Sequence, residues 1–141
     1  MTERRIGSLL DLLRGNLERL AEIPQANFEE FAADFRNVDS ALHRLQTSIQ
    51  ALIDIGAFLV SRLGLPAPKA SLDILTSLEG GGHLPEGSSV RFRPIIGFRN
   101  RVVHLYDRID ESIVYRILTE ERRDLEELVE LYLEILKRFE D

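Results

Sequence analysis

Residues 97 to 110 read GFRNRVVHLYDRID and bring Arg99, Asn100, His104 and Tyr106 into eight positions. Histidine has an unperturbed pKa of about 6.5 and passes protons in both directions near neutral pH. Arginine stays cationic and forks two donors onto phosphate oxygens. Asparagine orients an imidazole or donates to a phosphate. Together these groups suit cleavage of an RNA phosphodiester: a base activates the ribose 2′-hydroxyl, and arginine stabilises the charge developing on phosphorus. An acid must then protonate the leaving 5′ oxygen, and one imidazole does not conveniently serve both ends of an in-line displacement. A two-fold dimer would bring two copies of Arg99 and His104 into one cleft.

Helical spacing permits such a site without demanding it. At roughly 100° per residue, Asn100 and His104 share one face and Arg99 and Tyr106 another, while Arg99 and His104 stand roughly 140° apart. An Arg followed five positions later by a His is a short pattern that also arises by chance. On that ordinary reading His104 is a packed histidine, Tyr106 a boundary residue and the arginines solvated charges. The charge distribution is more pointed. The chain carries a net charge of −6, which repels nucleic acid on average, so binding requires a local patch. Residues 87 to 106 contain no Asp or Glu but do contain Arg91, Arg93, Arg99 and Arg101, and Arg108 follows. Arg91, Arg93, Arg101 and Arg108 are therefore the candidate RNA contacts beside the motif.

The elements that must position these residues read as helices. Ile6, Leu9, Leu10, Leu13, Leu17 and Leu20 repeat in the three-and-four steps of an amphipathic helix. Pro24 breaks the pattern, and Asn27 is placed to cap a short helix FEEFAADF. A long helix starts near Val38, with Leu42, Leu45, Ile49, Leu52, Gly56, Leu59 and Leu63 on one face, and stops at Gly64 and Pro66. Gly56 in that stripe suggests close approach of a neighbouring helix. SLDILTSLEG reads as a shorter helix with Ser71 as a cap, and GGGHLPEGSS as a loop. The segment VRFRPIIGFRNRVVHLY reads as a further helix in which Pro94 must lie near the start or produce a kink. In the last region Leu125, Leu128, Tyr132, Ile135 and Phe139 keep helical spacing, either as core or as a dimer seam, with Thr119 at a bend. The expectation is a single all-α domain over residues 1–141, an antiparallel bundle of four or five helices.

Composition narrows the chemistry further. The 141 residues include no cysteine, which removes disulfides, thiolate ligands and a cysteine nucleophile. His43 falls on the long helix and His83 in the glycine-rich loop, neither with a second ligand at a specifying distance, so no metal site is expected. No apolar run approaches the roughly 20 residues of a membrane span, and the start MTERRIGSLL does not resemble a signal peptide. A cytoplasmic protein without membrane contact is the expectation. No glycine-rich loop opens a helix to cradle phosphates, so no bound nucleotide cofactor is expected.

GFRNRVVHLYDRID resembles the signature of the HepT-like ribonuclease toxins of the HEPN superfamily. The resemblance extends to VDSALHRLQTSIQALIDIGAFLV, similar to that family's long core helix, and to LPAPKASLDILTSLEGGG. It implies a HEPN-like bundle acting as a two-fold dimer and a metal-independent endoribonuclease. Arg99 and His104 would carry catalysis, with Asn100 supporting them. It also implies a cognate minimal nucleotidyltransferase (MNT-type) antitoxin that transfers AMP to Tyr106, with ATP and magnesium belonging to that partner. Pro94 departs from a continuous helix before the arginine. The alternative is a non-catalytic HEPN-type binding or scaffold subunit of a nucleotidyltransferase complex, which would bind the partner and leave RNA intact.

Overall fold

The computed structural model describes residues 2–102 and 109–139, with Arg99 described by its backbone alone. Helix α1 (Glu3–Glu22) begins where the Thr2 hydroxyl accepts from the Arg5 amide at 3.2 Å. It buries Ile6, Leu9, Leu13 and Leu20 against α3 (Phe35–Arg62), the longest element. Leu10 and Leu17 sit at the edge of that stripe. A buried polar knot fixes the register of the pair: Asn16 Nδ2 donates to Thr47 Oγ1 at 2.8 Å and Ser48 Oγ at 3.0 Å, while Arg44 Nη1 donates to Asn16 Oδ1 at 3.0 Å. Each member has partners, so this group adds specificity without an orphaned buried donor.

Asn27 caps α2 (Phe28–Ala32), its side chain accepting from the Glu30 amide at 2.8 Å. Asp34 then caps α3 through the Arg36 amide and starts the long helix three residues before Val38. At the far end Gly64 adopts φ 70°, with Gly64 N donating to Ser61 O and Leu65 N to Val60 O. This is the Schellman arrangement that a glycine after the last turn allows.

Helix α4 (Leu72–Gly80) crosses α3 at Gly56. A β-carbon there would stand 2.6 Å from Ile74 Cγ2 and 2.8 Å from the Tyr132 hydroxyl, so any larger residue would force these side chains to move. The Tyr132 hydroxyl is buried without a hydrogen-bond partner, and desolvation pushes its pKa far above the ordinary phenol value. Ser71 does not cap α4; the Asp73 carboxylate accepts the Lys69 and Ala70 amides instead, at 3.2 and 3.0 Å.

Residues 88 to 102 form three one-turn helices rather than one continuous helix: α5 (Ser88–Arg91), α6 (Arg93–Ile96) and α7 (Phe98–Val102). Pro94 occupies the first turn of α6, where its missing N–H costs nothing, and Gly97 ends that turn by donating to Arg93 O. Phe92, Ile95, Ile96, Phe98 and Val102 all reach the core from these three turns.

The chain then runs through α8 (Glu111–Arg116), a π-helical turn (Ile117–Glu121) and α9 (Arg122–Lys137). The expected bend at Thr119 is this turn, in which the Thr119 hydroxyl donates to Tyr115 O at 2.9 Å. Leu125, Leu128, Tyr132 and Ile135 are buried within the chain itself, which makes this face core rather than a seam between copies. The architecture is the expected all-α bundle, with α3 at its centre touching α1, α4, α8 and α9. Among the described residues no helix is long and apolar enough to cross a membrane.

Candidate active site

Helix α7 carries the first half of the motif. Phe98 and Val102 are almost wholly buried and hold this short turn to the core, while Asn100 between them is exposed. Arg99 lies on the same turn. His104, Tyr106 and Arg108 lie outside the described residues, as does the end of the helix expected to run through Tyr106. Both ends of that interval are fixed. Asp110 N donates to Val102 O at 3.0 Å, and the Asp110 carboxylate caps α8 by accepting the Ser112 and Ile113 amides at 3.0 and 3.2 Å. Residues 103 to 108 therefore join two points tied by one backbone hydrogen bond.

The arginines of the acid-free stretch separate into different roles. Arg101 grips Glu121 with both nitrogens, Nη1 to Oε1 at 2.7 Å and Nη2 to Oε2 at 2.8 Å, and also donates to Pro94 O at 3.1 Å. This fork locks α7 to α6 and to the π turn. The Glu121 carboxylate holds the Arg101 guanidinium pKa above its ordinary value. The π turn offsets the register of α9 from α8, and its last residue is the one that meets Arg101. Arg91 pairs with two acids of α9. Its Nη1 donates to Glu127 Oε1 and its Nη2 to Asp124 Oδ1, both at 2.8 Å, and Glu127 and then Asp124 raise its pKa. Arg93 is exposed on α6 and makes no ion pair among the described residues.

Two features of this frame had no local signal in the sequence. Glu121 reaches Arg101 across twenty positions. Glu79, at the end of α4, accepts the Ser89 amide at 2.6 Å and the Gly87 amide at 3.1 Å, and thereby sets the start of α5; these bonds, Ser89's first, lower its carboxyl pKa. Neither pairing follows a helical or turn spacing, so only folding brings them together. Among the described residues no group of three His, Cys, Asp or Glu is arranged to hold a metal ion.

The bundle carries the backbone of Arg99 and an exposed Asn100 on a core-anchored turn, ahead of the interval that holds His104 and Tyr106 in sequence. The family description that matches, over residues 13–132, is ribonuclease HepT-like, and the chain belongs to that family. This makes it an endoribonuclease by class, as the sequence leads one to expect. It is 28% identical over 102 residues to the mRNA nuclease HepT of Shewanella oneidensis, covering 72% of this chain and 77% of that protein. It is 25% identical over 114 residues to the tRNA nuclease HepT of Aphanizomenon flos-aquae, covering 81% and 78%. In three dimensions it resembles the tri-AMPylated HEPN toxin of Shewanella oneidensis solved in complex with an MNT antitoxin. The TM-score is 0.77 at 24% identity, over 93% of this chain and 97% of that one. At that identity the likeness shows the fold.

Proposed function

We propose that this chain is the toxin of a toxin–antitoxin pair, an endoribonuclease that cuts RNA without a metal ion through Arg99 and His104. The reading is carried by the placement of the motif: Arg99 and Asn100 begin it on a turn anchored by Phe98 and Val102, and Asp110 closes the interval after it. The family match spans the whole of that interval. In the proposed reaction one His104 takes the proton of the ribose 2′-hydroxyl, whose oxygen attacks phosphorus as the bond to the 5′ oxygen breaks. The second copy's His104 gives a proton to that leaving oxygen, and the products are a 2′,3′-cyclic phosphate and a 5′-hydroxyl. The guanidinium of Arg99 neutralises the added charge on the phosphoryl oxygens, and Asn100 supports the imidazole. Two protomers are needed because the attacking and leaving oxygens lie on opposite sides of phosphorus.

Control belongs to a partner. A minimal nucleotidyltransferase antitoxin places AMP on Tyr106, and its phosphate and nucleoside then compete with RNA for the arginines. The relatives are an mRNA nuclease in one case and a tRNA nuclease in another, which supports RNA as the substrate class proposed here. The test is a paired measurement on the purified chain, made with and without a cognate nucleotidyltransferase and ATP. Unmodified wild type should cleave RNA in EDTA, and His104→Ala should lose roughly a hundredfold or more of that rate. AMP-sized mass increments should appear with the partner, vanish in Tyr106→Phe, and coincide with loss of cleavage. A folded, unmodified dimer that binds the partner and cleaves no RNA from a diverse pool would make the chain a scaffold subunit instead.

A further inference from the structure

Beside the motif turn runs a groove that the proposed reaction does not use. Gln46, Gln50 and Ile53 line it from α3, Ser71 from the start of α4, and Ile96 and Phe98 from α6 and α7, around a cavity of about 390 Å³. Roughly 300–1,000 Å³ is the usual range for small-ligand clefts. Gln46, Gln50 and Ile53 recur at helical spacing, so they form one stripe facing the short helices. Phe98 immediately precedes Arg99, and the wall of the groove is therefore continuous with the turn that carries the motif.

The lining chooses its occupant by chemistry. Among the described residues that line it there is no Arg, Lys or His to hold a phosphate and no carboxylate to hold a cation. Its floor is apolar, with Ile96 and Phe98 nearly buried. Its rim is neutral and hydrogen-bonds in both directions: neither the Gln46 amide nor the Ser71 hydroxyl has a side-chain partner among the described residues. Gln50 gives one N–H to Asp54 Oδ1 at 3.0 Å and keeps its carbonyl oxygen available. Thr47, the other polar lining residue, is engaged: its hydroxyl accepts from Asn16 and donates to His43 O, so it braces the wall rather than reading a ligand. An apolar floor with neutral donors and acceptors at its edge fits an aromatic heterocycle with hydrogen-bonding edges, and single-stranded RNA can splay such bases out of its stack.

We propose that this groove is a base-recognition subsite that takes an unstacked nucleobase flanking the cleaved bond, with Gln46 and Gln50 reading its edge. The proposal rests on the ribonuclease reading above and deepens it. It gives the enzyme a preference for single-stranded RNA and for particular bases next to the scissile phosphate.

The test uses single-stranded oligoribonucleotides in one sequence frame, with the base on each side of the cut varied in turn. Wild type should prefer particular bases at one flanking position. Gln46→Ala with Gln50→Ala should reduce that preference about tenfold, chiefly through KM, the size expected for losing one or two hydrogen bonds. Fully 2′-O-methylated versions of the same strands resist cleavage and read the groove by binding alone; they should show the same base order in wild type and lose it in the variant. Base preference absent from wild type, or unchanged in the double variant, overturns the subsite. Base-selective binding of the methylated strands by a protein that cleaves nothing would keep the subsite and reject the ribonuclease reading. If sedimentation shows that the double variant turns a dimer into monomers, the groove is a seam between copies and the proposal fails.

Discussion

Two parts of the molecule are built on different principles. The frame of α1, α3 and α9 consists of helices of 20, 28 and 16 residues with broad apolar stripes, held chiefly by burial. The motif segment consists of α5, α6 and α7, with four, four and five residues, too short to persist as isolated helices in water. It buries apolar anchors too, but its geometry is set by polar clamps: Glu79 at its start, Arg91 on Asp124 and Glu127, Arg101 on Glu121, and Asp110 after its end. The frame can therefore lose a methyl group and keep the shape of the site, whereas the motif segment depends on single charges placed far away in sequence.

Damage to the frame should appear as lost stability. Leu52 is fully buried in the middle of α3, and Leu52→Ala should cost about 2–5 kcal/mol in denaturant unfolding while the folded fraction retains its cleavage rate. Gly56→Ala should cost less, about 1–3 kcal/mol, because the new methyl group meets Ile74 and the Tyr132 hydroxyl. Tyr132→Phe in the same chain should return part of that loss, since it removes one of the two clashing atoms and an unpartnered buried hydroxyl. If the two changes simply add, Tyr132 does not press on this crossing.

Damage to a clamp should appear as lost activity instead. Glu121→Gln should lower RNA cleavage by about tenfold by loosening α7, with a small change in melting temperature. The sign of this effect separates two roles for Arg101. If Arg101 chiefly binds RNA, releasing it from Glu121 should tighten RNA binding; if it positions α7, the rate should fall and charge reversal of both partners should restore it. A melting temperature lowered as far as in Leu52→Ala would erase the distinction between the two regions.

The smallest effect concerns pH. Bonds from the Ser89 and Gly87 amides lower the Glu79 pKa, so its contribution to stability is present above the ordinary carboxylate value of about 4.3 and is lost as pH falls through the lower folded value. Glu79→Gln should therefore be most destabilising near neutrality and least in acid below the lowered folded pKa, flattening the acid limb of a plot of melting temperature against pH. Parallel curves for variant and wild type would show that the ionised form has no special role at this cap.

The sequence by itself determined the helical class, the long central helix, the cap at Asn27, the close crossing at Gly56 and the candidate residues of the motif. Those features come from local periodicity and from backbone rules that hold within a few residues, so they are written in order along the chain. Tertiary structure decided that residues 88 to 102 break into three turns, of which the sequence marked only the one at Pro94. It also decided that Asp73 rather than Ser71 supports the start of α4, that the Leu125 to Ile135 face is core, and that Glu121 meets Arg101. Two of the arginines in the acid-free stretch proved to be paired with acids from α9 and the π turn, which no count along that stretch could reveal. Charge pairs and packing partners are set by distance in space, and sequence records distance only along the chain.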